Sequence, residues 1–250
     1  AYLHLFDEYD NLLTKEESGI VLDCLFSLLA HRNGAVRRMA AGSAGRLLAK
    51  AGADTWKNFL HRMLFPGQEF SEKRRRWIGF AMKIVFESLL EGAGELERRT
   101  VLNVYAGYFK SLRWETLTCL ALIYGAADIS YNEWSNPECG LIEGFLRKFL
   151  SSGESEIRIA CLWLIQNWLN DGWMPREDMR YFLKKLPVKL KSDYCENYML
   201  YKVRKLLGCT AVCYEKEDRQ HIIMENQRLE NSWLCKLVNL MILREEMMDG

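Results

Sequence analysis

The stretch Ala35-Val-Arg-Arg-Met-Ala-Ala-Gly-Ser-Ala-Gly-Arg-Leu-Leu48 decides how this chain is read. Val36, Ala40, Ala44 and Leu47 recur at helical spacing, with Leu48 beside them, so one stripe of a helix is apolar. Small residues crowd that stripe: Ala40, Ala41, Gly42, Ser43, Ala44 and Gly45. A glycine inside a helix costs roughly 1 kcal/mol relative to alanine. Gly42 and Gly45 therefore predict a neighbouring helix that passes too close to admit a side chain. Asn33-Gly34 reads as a short turn in which glycine ends the preceding helix.

The same features return along the chain. Steps of 40 residues from Ala41 land on Ala81, Ala121 and Cys161, each small, before Tyr201 breaks the series. Gly45 maps in the same way onto Gly125, and Leu25 onto Phe65, Tyr105 and Phe145. A shared period with small and large columns is the signature of stacked helical hairpins. The order of apolar helix, Asn-Gly turn, Val-Arg-Arg, Ala-Ala, Gly and Leu-Leu resembles a HEAT repeat. That resemblance implies an all-α fold, an α-solenoid of about five hairpins of about 40 residues with capping helices. It also implies that second helices line a concave face, with arginine near their starts. On this reading residues 1–250 form one domain. Residues 1–13 are an N-terminal cap or arm, 14–208 the repeats, and 215–250 C-terminal capping helices. The alternative is an irregular helical bundle.

Composition agrees with a folded helical chain. Of 250 residues, 49% are hydrophobic and 27% charged, which excludes disorder. A net charge of +1 gives no bulk attraction to polyanions, although a local basic stripe remains compatible with it. The eight cysteines sit mostly in apolar helical runs such as Asp23-Cys24-Leu25-Phe26, as small buried hydrophobes do. Without a signal-peptide pattern they read as reduced thiols of a cytoplasmic protein. No apolar run approaches the length of a membrane span. The start at Ala1 fits a processed chain or a domain cut from a longer protein, and both readings stand.

Segment by segment, Thr14-Lys15-Glu16-Glu17 reads as a capping box. The helix after it carries Ile20, Leu22, Leu25, Phe26 and Leu29 inward. Asp54 is the expected N-cap of the next helix, and Ser71-Glu72 opens another that runs to Leu90. Further helices are expected at 95–112, from Trp114 to about Ala127, and at about 138–152, 155–170, 176–186 and 192–207. All four prolines fall between helical patterns. The loop from Asp128 to Pro137 is the longest break, and exposure is expected for Tyr131 and Trp134.

Candidate contact residues are basic or aromatic. Arg37, Arg38, Arg75, Arg76 and Arg158 lie near the starts of helices, in a run that includes Lys73-Arg-Arg-Arg76 and Arg98-Arg99. Such a ladder would hold acidic peptides or phosphates. The competing reading is solvated surface, or arginines bonded to loop carbonyls between repeats, with Glu72, Glu95, Glu97 and Glu115 close enough to neutralise them. Trp77, Trp114 and one of Trp163 or Trp168 would anchor a peptide or stack on bases if exposed. Aromatics at helical spacing more commonly form core, so exposure of Trp134 or Trp173 would be the more telling sign.

Cys209 and Cys213 have metal-like spacing but lack the two further ligands that a closed zinc site needs. No nucleophile elbow, zincin motif or phosphate-cradling loop is present. The reading is therefore a non-catalytic interaction or regulatory scaffold module with no metal or cofactor. Its partner is a protein, a peptide or another domain of its own chain, held on the second-helix face. The alternative shares the architecture. HEAT-like DNA glycosylases use a basic groove with tryptophans and an acidic residue, and Trp163, Trp168 and Asp171 have that flavour, as do Trp114 and Glu115.

Overall fold

A computed structural model describes residues 14–111, 114–127, 129–152, 154–186 and 194–209. Among these the chain is all-helical, with no strand. We number the helices α1 (Lys15–Leu29), α2 (Gly34–Lys50), α3 (Ala53–Leu64), α4 (Glu72–Gly92), α5 (Glu95–Tyr108), α6 (Thr116–Ala126), α7 (Asn136–Ser152), α8 (Ser155–Asn170), α9 (Glu177–Lys185) and α10 (Tyr194–Leu206). A short 3-10 turn, Tyr131–Glu133, precedes α7. The chain divides into two compact units, Ala1–Phe145 and Leu146–Gly250. The proposed N-terminal arm and C-terminal capping helices lie outside the described residues.

In the first unit α4 packs along α2 on one side and α6 on the other. The pairs that meet fix the direction of the three helices. The Arg37 guanidinium lies over Trp77, Gly45 faces Val85 and Ser88, and Ala49 faces Gly92. Gly79 faces Ala121, Phe80 meets Tyr124, and Met82 faces Gly125. Contacts that advance together along both partners require parallel helices. The α2–α4 pairs are offset by 40 to 43 residues and the α4–α6 pairs by 42 to 44, close to the 40-residue step of the sequence but drifting beyond it.

Close approach explains the small residues. A Cβ on Gly45 would lie 2.5 Å from the Ser88 Cβ and 2.5 Å from the Val85 carbonyl oxygen. Gly42 differs, because its nearest neighbour across the interface, the Ser88 hydroxyl, would stand 3.9 Å away. Only one of the two glycines is thus required by the neighbouring helix. Gly125 is crowded by the Tyr105 hydroxyl and by Met82. That hydroxyl donates to the Leu122 carbonyl at 2.9 Å. Burial, and secondarily Tyr108, pushes the Tyr105 phenol well up, so it stays a neutral donor. Phe86 lies tilted against the Tyr105 ring and Phe109 meets it edge-on, with centroids 4.2 and 5.9 Å away, and Phe109 in turn meets Phe145 at 5.0 Å.

In the second unit α8 packs against α10. Both helices end in glycine hooks. Gly172 at φ +86° and Gly208 at φ +71° take the left-handed conformation that glycine tolerates. The Trp173 amide then donates back to the Trp168 carbonyl at 2.8 Å, and the Cys209 amide to the Arg204 carbonyl at 2.9 Å. The hook folds Trp173 onto Trp168, with ring centroids 5.5 Å apart.

Several expectations change. Ile20 is 61% exposed, because α1 turns its Leu22, Leu25, Phe26 and Leu29 inward instead. Asn33 caps α2, its side chain accepting from the Ala35 amide at 2.8 Å, so Gly34 begins that helix rather than ending the previous one. Gly52, not Asp54, is the N-cap of α3. Pro137 lies in the first turn of α7, where its missing amide hydrogen costs nothing. Trp134, expected to be exposed, is 5% exposed and stacks on Tyr105. Trp173 is buried by the hook. Cys24 is exposed, whereas Cys119, Cys139, Cys161 and Cys195 are buried free thiols.

The capping box is formed as expected. The Glu17 carboxylate accepts from the Thr14 amide and from the Thr14 hydroxyl, both at 2.7 Å. The hydroxyl bond, then the amide bond, hold the Glu17 carboxyl below its ordinary value. A depressed carboxyl stabilises the fold above its unfolded pKa, and that contribution is lost as pH falls through the folded pKa. In Thr14→Ala the Glu17 carboxyl should titrate at higher pH, as followed by carboxyl carbon NMR. An unshifted titration would show that the box does not form.

Candidate functional site

The parallel row places the starts of α2 and α4 side by side, and the basic residues of both gather around Trp77. The Arg37 guanidinium carbon lies 4.4 Å from the Trp77 ring centroid, and the Lys73 Nζ lies 5.5 Å from it. One indole face attracts a cation through the negative charge of its π system. Trp77 is half-buried, so its remaining surface meets solvent beside these charges. Arg38 and Arg74 are exposed and have no hydrogen bond or ion pair among the described residues. The two first turns thus bring Arg37, Arg38, Lys73 and Arg74 to one edge.

Arg37 is partly committed to the fold. Its Nη1 donates to the His31 carbonyl at 2.7 Å and to the Arg32 carbonyl at 3.1 Å, tying the end of α1 to α2. Burial first, and then the Arg38 charge, lower its pKa. Arg75 is half-buried with its Nε unbonded. Arg76 binds Glu72 one turn back, at 3.2 Å.

Elsewhere the basic residues are taken up internally. Arg98 binds the Glu133 carboxylate with its Nε at 2.9 Å, and Arg99 donates to the Glu133 carbonyl. The neutralising carboxylate here is Glu133, not the Glu95, Glu97 or Glu115 suggested by proximity in sequence. Arg158 makes a two-pronged bond to Glu196, both contacts at 2.8 Å. Arg204 donates to the Lys184 and Leu186 carbonyls at 2.7 and 2.8 Å. Bonding to links and neighbouring helices takes up Arg37, Arg98, Arg99 and Arg158 of the ladder, and among the candidates described the open cations are those at the starts of α2 and α4 near Trp77.

The other aromatic candidates belong mainly to the interior. Trp114 is half-buried, donates its indole N–H to the Tyr108 carbonyl at 2.7 Å, and packs on Phe65. Trp163 and Trp168 are buried on α8. Asp171 is exposed at the end of that helix. Sequence reasoning missed the pairing of Trp77 with Arg37, although the 40-residue step from Arg37 lands on Trp77 directly. Among the described residues no group of three potential metal ligands comes together, and no helix is long and apolar enough to cross a membrane. Cys213 lies outside the described residues.

No family model, no curated protein and no solved structure matches this chain.

Proposed function

We propose that this chain is a non-catalytic interaction module, a HEAT-like α-solenoid that holds an acidic segment of a partner protein. The solenoid reading rests on the parallel row α2, α4 and α6 and on the arginines that tie links to neighbouring helices. The binding reading rests on one observation: Arg37 and Lys73 both approach the Trp77 ring, at the same helix starts that carry the unpaired Arg38 and Arg74. Aspartate and glutamate side chains would meet the cations, while the indole surface covers an apolar side chain of the same peptide. The nucleic-acid alternative draws less support, because burial of Trp163 and Trp168 removes them as a platform for a flipped base.

The test is a titration of the full chain with a glutamate-rich peptide containing one leucine, read by tryptophan fluorescence. Binding should weaken as salt rises. The Arg38→Glu/Arg74→Glu variant should bind roughly tenfold or more weakly with an unchanged melting temperature, since both residues are exposed. Unchanged affinity in that variant removes the site. Tighter binding of duplex DNA than of the peptide at equal ionic strength would favour the nucleic-acid reading instead.

A further inference from the structure

A second feature belongs wholly to the second unit. The end of α7, with Leu150 and Ser151, joins α8, α9 and α10 in lining a solvent-open pocket of about 330 Å³. At the roughly 30 Å³ that a water molecule occupies in the liquid, such a space holds a small organic molecule. Leu162, Phe182, Leu186 and Leu200 give it apolar walls, and Arg158, Glu196 and Lys185 bring charges to the same lining. An apolar concavity with a few converging polar groups is the usual form of a small-ligand site.

The charged residues are held in place. Arg158 and Glu196 are locked together by their two-pronged bond, with side chains only 24% and 19% exposed. They form a fixed, neutral piece of wall between α8 and α10. Arg204 holds the end of α9 through the Lys184 and Leu186 carbonyls, which fixes Leu186 in the wall and Lys185 at its edge. The Lys185 ammonium rests 4.2 Å from the Tyr181 ring centroid. With Arg158 matched by Glu196, the Lys185 charge is the surplus one in the lining. The electrostatic complement of this cavity is a single negative charge on an apolar body.

We propose that this cavity binds a small apolar carboxylate, an aliphatic or aromatic monoacid. Its hydrocarbon part packs against Leu162, Phe182 and Leu200, and its carboxylate lies toward Lys185 and the Arg158 edge. Removal of apolar surface from water drives entry, and the surplus cation selects the sign of the headgroup.

The probes are octanoate, octylamine and 1-octanol, each titrated into the full chain by calorimetry and ligand-observed NMR. Octanoate should bind saturably, and more tightly than either of the others. Lys185→Glu reverses an exposed side chain, so it should fold normally and lose roughly tenfold or more in octanoate affinity. Leu200→Trp fills the cavity and should abolish binding. The proposal is overturned by no saturable octanoate binding at millimolar concentration. It is equally overturned by octanol or octylamine binding as tightly as octanoate, or by Lys185→Glu binding like the wild type. None of these measurements involves the Trp77 edge, so a failure here leaves the peptide-binding reading standing, and the reverse holds too.

Discussion

Gly45→Ala is expected to destabilise the protein by about 1–3 kcal/mol, whereas Gly42→Ala should be neutral or stabilising by up to about 1 kcal/mol. The two residues lie one helical turn apart on α2 and gain the same helix propensity from a methyl group. Their surroundings decide the sign. At Gly45 the methyl meets the Val85 carbonyl and the Ser88 Cβ, both at 2.5 Å, and neither can move without shifting the α4 backbone. At Gly42 the nearest atoms are side-chain ends at 3.6 and 3.9 Å, ordinary contact distances. Urea unfolding of the two variants is the measurement. Equal effects, or stabilisation by both, would mean that α2 and α4 do not approach as described.

Trp168→Ala is expected to cost more, about 3–5 kcal/mol, the usual price of removing a fully buried large aromatic. Trp168 is 0% exposed and supports Trp173 through the glycine hook that ends α8. Amide hydrogen exchange should show lost protection along α8 and α10, which pack on one another. Gly172→Ala leaves both tryptophans present but forces a methyl-bearing residue to φ +86°. It should cost about 1–2 kcal/mol. A Trp168→Ala loss below about 1 kcal/mol would contradict the burial of that ring.

The helical character of the chain was legible because apolar periodicity is a local property. So was the 40-residue step between α2 and α4, which the Arg37–Trp77 and Gly45–Val85 neighbours realise in space. Helix starts were read less well. Asn33-Gly34 carries both an N-cap signal and a C-terminal glycine signal, and the choice depends on which helix the chain has already entered. Whether Trp173 is exposed was left open, because its burial follows from a reversal at Gly172 rather than from helical spacing. Trp134 went inside for a similar reason, since the turn at Tyr131–Glu133 aims it at Tyr105.

Of the candidate site, the residue types were visible but their partners were not. Proximity in sequence found the Glu72 partner of Arg76, but Arg98 with Glu133 and Arg158 with Glu196 are separated by 35 and 38 residues, out of its reach. The pocket at α7, α8, α9 and α10 had no sequence signal at all, because its walls come from four helices whose leucines look like ordinary core. Arg37 and Trp77 were both singled out from the sequence, but their contact follows only when the period is read as a stacking register.

The two-sided role of α4 sets where the gene can change length. Val85, Ser88 and Leu89 face α2, while Gly79, Phe80 and Met82 face α6. One inserted codon between Met82 and Val85 would rotate one set by about 100° relative to the other. One neighbour would then lose its fitted surface whichever end stayed in place. An extra residue in the link Pro66–Phe70 moves no such pair. Length variation should therefore survive in the links and be purged from α4, and a library of single-codon insertions would show that boundary directly.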